Sequence, residues 1–144
     1  VHVNRSSLVF FGLLASLTIG CSKEPAQAKW KPEVAELMVY GTQIPLYPGA
    51  VADNAMGSDL YGDTKADHSK GMAVWFVADG TFDELADWYE ARLPEAMQEV
   101  MDGGALMFTL APEGGVDGES MGVVVEDDGK FRIFERVKAN RAVS

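Results

Sequence analysis

The chain has 144 residues, 12 Lys or Arg against 22 Asp or Glu, and a formal net charge of −10 at pH 7. That acidic balance disfavours nucleic acid as a partner, because such binding depends on neutralising phosphates with basic side chains. A single cysteine excludes an internal disulfide framework, and 47% apolar residues at this length sustain one domain with its own core.

The first 20 residues combine Arg5 with an apolar run from Leu8 to Ile19, followed by Gly20-Cys21. A basic start and a short apolar core read as a signal peptide, and the run falls short of the ~20 apolar residues that span a bilayer. Leu17-Thr18-Ile19-Gly20-Cys21 resembles a bacterial lipoprotein signal. The resemblance implies removal of residues 1–20 and acylation of Cys21, first with a diacyl group and then on its nitrogen. Membrane lipid, reached through acylated Cys21, is then the first expected partner. The competing reading is a buried N-terminal helix with Cys21 as a small core hydrophobe. Ser22 is not the Asp that signals retention, which implies an outer-membrane location facing the periplasm where the cell has one. Residues 21–32 mix Pro, Ala and charge without periodicity and read as a tether, so one folded domain is expected over residues 33–144. Lys23, Lys29 and Lys31 in that tether suit anionic headgroups, at about 1 kcal/mol per basic residue close to the surface.

Val34, Leu37 and Met38 have helical spacing, which predicts a short helix over residues 33–40 ending at Gly41. Two prolines in residues 44–50 forbid regular helix, and Pro48-Gly49 marks a turn. A short strand is expected around residues 59–61, and a β-prone apolar run fills residues 72–78 before Asp79-Gly80. Thr81-Phe82-Asp83-Glu84 is a capping-box signature, opening a helix whose apolar face is Phe82, Leu85, Ala86, Tyr89 and Leu93 and which Pro94 stops. Strands are predicted at residues 105–111, 121–126 and 130–137, the last two joined through Asp127-Asp128-Gly129. The order strand, helix, strand, strand, strand predicts an α+β fold: one antiparallel sheet of about four strands with one main amphipathic helix on one face. Met97, Met101, Met107 and Met121 read as core filler, since they form no compact methionine motif.

Pro45-Leu46-Tyr47-Pro48-Gly49-Ala50, followed by a β-run, then Phe82 to Tyr89 and Leu93-Pro94, resembles small uncharacterised bacterial envelope lipoproteins with a Tyr-Pro-Gly-Ala motif. The resemblance covers residues 45–94. It implies a small α+β domain on a lipid anchor and carries no activity with it.

Strand alternation predicts that Val74, Phe76, Leu106, Phe108, Leu110, Met121, Val123, Val125, Phe131 and Ile133 face the helix. The opposite face would then present Trp75, Val77, Met107, Thr109, Val124, Arg132, Phe134 and Arg136, too apolar for ordinary solvated surface. Either residues 33–62 fold across it, or it docks an envelope protein or ligand, with Trp75 and Phe134 at the centre and Arg132 and Arg136 at the edge. An RNA platform would use similar residues, but the export signal and acidic charge speak against it. Lys130, Arg132, Arg136, Lys138 and Arg141 also crowd the C-terminal end, either neutralised within the fold or forming a basic patch.

Catalytic patterns are weak. Gly118-Glu119-Ser120-Met121-Gly122 matches the serine-hydrolase letters, but a nucleophile elbow needs a strand before the serine and a helix after it, and here a predicted strand follows. Asp59, Asp63, Asp67 and His68 could offer oxygen and imidazole ligands, without EF-hand or zinc spacing. Glu126-Asp127-Asp128 would serve acid-base chemistry only if a cleft paired two of them. No catalytic, cofactor-binding or metal-binding residue is assigned, and a non-enzymatic binding module is expected. The alternative is a metal-binding or hydrolytic envelope domain using the Asp63, Asp67 and His68 loop.

Overall fold

In the computed structural model, residues 26–53, 58–64 and 69–138 are described, the stretch 58–64 by its backbone alone. Alternation with period two decides which face each strand buries. On β3 (Ser69–Val77) the inward positions are Val74 and Phe76, and on β7 (Lys130–Lys138) they are Phe131 and Ile133. β6 (Ser120–Asp127) adds Met121, Val123 and Val125, and β5 (Leu106–Leu110) adds Phe108, with Leu106 and Leu110 packed against this core. The four strands predicted for the sheet are present, and of the ten residues predicted to face the helix eight are buried, with Leu106 and Leu110 partly so.

The sheet is larger than the four strands expected. β1 (Val51–Ala52), β2 (Ser58–Thr64), which covers the short strand expected around residues 59–61, and β4 (Met97–Val100) bring it to seven, antiparallel throughout, in the order β1, β3, β7, β6, β5, β4, with β2 also on β3. β1 pairs with Phe76 and Val77 while β2 pairs with Ser69 to Val74, so both lie along one edge of β3 and the sheet is six strands wide. The helix α2 (Phe82–Arg92) carries the chain from β3 to the far edge at β4. Strands β4 to β7 then return as a meander that lays β7 beside β3, at the middle of the sheet.

Thr81 caps α2 as expected: its Oγ1 accepts the Glu84 N–H at 3.2 Å and Glu84 Oε2 accepts the Thr81 N–H at 2.8 Å. Asp128 in the β6–β7 turn accepts the Phe82 N–H at 2.7 Å, so the hairpin also caps the helix. Leu85, Ala86, Tyr89 and Leu93 are buried, and full burial of a side chain such as Leu85 contributes ~1.5–3 kcal/mol. The Tyr89 ring lies against Phe108 and Phe131, and Phe131 stacks on Phe76 at 5.3 Å. Its hydroxyl donates to the Pro45 carbonyl at 3.0 Å and accepts the Tyr47 N–H at 3.3 Å, tying the helix to the proline-rich turn.

Residues 28–50 pack on the same sheet face as α2. Met38, Tyr40, Ile44 and Leu46 are buried in one core with Val74, Phe76 and Ile133. Packing begins inside the segment read as a tether: Ala28 bridges Leu46, the Trp30 Nε1–H donates to the Ile44 carbonyl at 3.2 Å, and the Trp30 ring meets Phe76 edge-on. The helix expected over residues 33–40 shrinks to one turn, α1 (Pro32–Ala35), followed by a 3-10 turn at Gly41–Gln43. The ladder stops because the Leu37 and Met38 amides reach only three residues back, and those of Val39, Tyr40 and Gly41 turn to the Glu135 carboxylate.

The methionines also differ from expectation. Of the four read as core filler, Met121 is buried, whereas Met97 is 69% exposed on edge strand β4 and Met107 is half-buried on the opposite face. No helix among the described residues is long and apolar enough to cross a membrane.

Candidate binding face

Because β7 lies centrally and its odd positions point into the core, its even positions, Lys130, Arg132, Phe134, Arg136 and Lys138, all belong to the face away from α2. Register extends that face across the sheet. Trp75, Arg132, Val124, Met107 and Glu99 form one cross-strand row. Ala73, Phe134, Gly122, Thr109 and Met97 form the next, and Gly71, Arg136 and Ser120 a third. Phe134 thus stands between two small residues. A Cβ on Gly122 would lie 2.6 Å from Phe134 Cζ and would also strike the Phe108 carbonyl oxygen, so the ring spreads across the glycine. These small residues leave a groove of about 430 Å³. Val124, Met107 and Phe134 supply its apolar lining, and Arg132, Arg136, Thr109, Ser69 and Ser120 its polar groups, with Glu135 also along it.

The two arginines are differently engaged. Arg132 Nε lies 2.9 Å from Glu126 Oε1, and its guanidinium sits 5.1 Å from the Trp75 ring centroid, a cation–π arrangement. Arg136 is exposed, and its Nε–H donates to the Ser69 hydroxyl at 2.9 Å. The four residues singled out from sequence, Trp75, Arg132, Phe134 and Arg136, are therefore brought together on one face in three consecutive rows. Among the described residues of the segment 33–62, none folds across them: residues 33–50 lie on the helix side, and β1 and β2 extend the sheet at its edge.

What holds that segment on the helix side is a pair of buried acids that the sequence reading passed over. Glu135 is only 4% exposed and accepts backbone N–H groups from Val39 at 2.8 Å, Tyr40 at 2.5 Å and Gly41 at 2.9 Å. Glu119, equally buried, accepts the Tyr40 hydroxyl at 2.9 Å and the amides of Val116 and Lys138. Burial pushes the Glu135 pKa above its ordinary 4.5, the Val39 and Gly41 amides pull it back, and the Glu119 carboxylate adds to the rise. Gln43 completes the attachment through reciprocal hydrogen bonds with the Glu113 backbone. Period two was the available signal for Glu135: whatever turns Phe131 and Ile133 inward turns position 135 inward too.

The remaining candidate residues are dispersed. Ser120 opens β6 after a loop and is followed by strand, so the strand-serine-helix geometry of a nucleophile elbow is not formed. Asp59 and Asp63 fall on β2, while Asp67, His68 and Cys21 lie outside the described residues. Glu126 faces Arg132, Asp127 accepts the Asp128 N–H, and Asp128 caps α2, so the hairpin acids have structural partners. Among the described residues no group of three or more His, Cys, Asp or Glu side chains could hold a metal ion.

No protein-family model, curated protein or solved structure matches this chain. The functional reading accordingly rests on the open sheet face and its groove.

Proposed function

We propose that this chain is a lipid-anchored, non-enzymatic cell-envelope protein that binds an envelope protein or ligand through the sheet face opposite α2. One observation carries the reading: among the described residues that face has no covering element, and it gathers Trp75, Phe134, Arg132 and Arg136, the last three of which line a groove. Aromatic and arginine side chains over an apolar centre are the composition favoured where proteins bind partners. The anchor at Cys21 confines the partner to the membrane surface, in the periplasm where an outer membrane exists. One acyl chain holds a protein only marginally, whereas the two or three of a mature lipoprotein hold it firmly.

Two experiments in cells test the two halves of this reading. Cys21→Ala should abolish labelling by a fatty-acid analogue and leave unprocessed precursor; persistent labelling would overturn the anchor. Combined Trp75→Ala and Arg136→Ala should remove partners recovered after cross-linking while the fold stays intact by circular dichroism. Unchanged recovery would rule out the open face as the docking site.

A further inference from the structure

We infer that the groove is a binding site for an anionic amphiphile, a molecule with an unbranched apolar chain and a carboxylate or phosphate head. This rests on the reading of the open face as a binding surface and assigns its ligand class. The groove is chemically polarised along β7. At one end the groove is lined by Ser69, Ser120 and Arg136, two hydroxyls and a cation in neighbouring rows, and Lys138 is next to Ser69 in register outside that lining. At the other end lie Val124 and Met107, with Trp75 next to Arg132 in register outside the lining, and the cation there, Arg132, has Glu126 at 2.9 Å to offset it. Phe134 stands between, with glycine and alanine as its row neighbours.

The scale fits one chain. From the Arg136 row to the Arg132 row is four residues of strand, about 13 Å at the usual rise. The 430 Å³ of the groove equals about fourteen water molecules at liquid density, water that an apolar chain would displace from a largely apolar lining. The sign of the head follows from charge. The protein is acidic overall at −10, yet four of the five β7 residues on this face are Lys or Arg, so an anion is drawn to this face; Glu135 also lines the groove, but it is only 4% exposed and its carboxylate is taken by the amides of Val39, Tyr40 and Gly41.

The test uses the full chain with Cys21→Ala, which removes the acyl group, and isothermal calorimetry with four probes below their micellar concentrations: dodecanoate, dodecyl phosphate, dodecanol and dodecyltrimethylammonium. Saturable one-to-one binding of at least one anion, with dodecanol and the ammonium compound at least about tenfold weaker, is the expected result. The two anions separate a fatty-acid ligand from a phosphate-headed one. Arg136→Gln should weaken binding by about tenfold or more, the loss of a charge-assisted contact, and Thr109→Trp should abolish it by filling the groove from a half-buried position. Circular dichroism confirms that both variants fold, and binding to the apolar N-terminal run would survive Thr109→Trp. Equal binding of all four probes, no saturable binding of either anion, or affinity unchanged in both variants would overturn the proposal. Loss of amphiphile binding alongside partner cross-links that still depend on Trp75 and Arg136 would refute the ligand class alone.

Discussion

Glu135→Ala removes the acceptor that keeps residues 39–41 on the helix side of the sheet. Three backbone N–H groups, from Val39, Tyr40 and Gly41, lose their partner, and two of these residues, Tyr40 and Gly41, are buried. An orphaned buried donor costs about 1–3 kcal/mol, so the two buried residues set a gross cost of roughly 2–6 kcal/mol, while Val39 is exposed and adds little. Local detachment of the segment lets water reach the amides, which puts the observed loss near the lower end, about 2–3 kcal/mol. Against a typical total of about 5–15 kcal/mol that is a large fraction. Urea denaturation measures the loss, and hydrogen exchange should show the amides of residues 39–41 losing protection before those of β6 and β7. A loss under about 1 kcal/mol, or unchanged protection at residues 39–41, would refute the idea that Glu135 holds this segment.

The charge of Glu135 sets a pH dependence. Its pKa is raised in the folded state, so the folded protein binds this proton more tightly than the unfolded chain. Relative to Glu135→Gln, the wild type should be most stable below the ordinary carboxylate value and should lose that advantage as pH rises through the raised folded value. Denaturation midpoints of the two proteins across that range check the sign. Tyr89, fully buried, has its phenol pushed well above its usual 10 by burial, so alkaline spectrophotometric titration should leave one tyrosine protonated until the protein unfolds. Gly122→Ala places a methyl group against Phe134 and the Phe108 carbonyl and should cost about 1–3 kcal/mol in thermal or chemical unfolding. Thr81→Ala removes the capping box and should cost about 1 kcal/mol, with Asp128→Ala destabilising the same helix end through the lost Phe82 N–H contact.

The elements legible in the sequence are those whose pattern is tied to burial. The Thr81 capping box, the Asp127-Asp128-Gly129 turn and the period-two runs of β3, β5, β6 and β7 each specify local geometry and an inward face together. β4 escaped because Met97 to Val100 are all exposed, leaving no alternation to read, although Gly103-Gly104, both at positive φ, marked the turn into β5. β1 is two residues long and leaves no pattern at all. The helix over residues 33–40 failed for a tertiary reason: its later amides prefer a carboxylate 94 to 96 residues away, which no local window contains. For the site, alternation brought Trp75, Phe134, Arg132 and Arg136 to one face. That residues 39–41 lie on the helix side and not over that face depends on Glu135, an acid at an inward position.

The central claim is that the sheet face opposite α2 engages a partner while the helix side does not. A photo-cross-linking amino acid in place of Phe134, on the open face, and in place of Asp87, on the exposed side of α2, tests it directly in living cells. A discrete stoichiometric adduct from position 134 and none from position 87 is the predicted result. Equal adducts from both positions, or none from position 134 in a correctly folded protein, would contradict it.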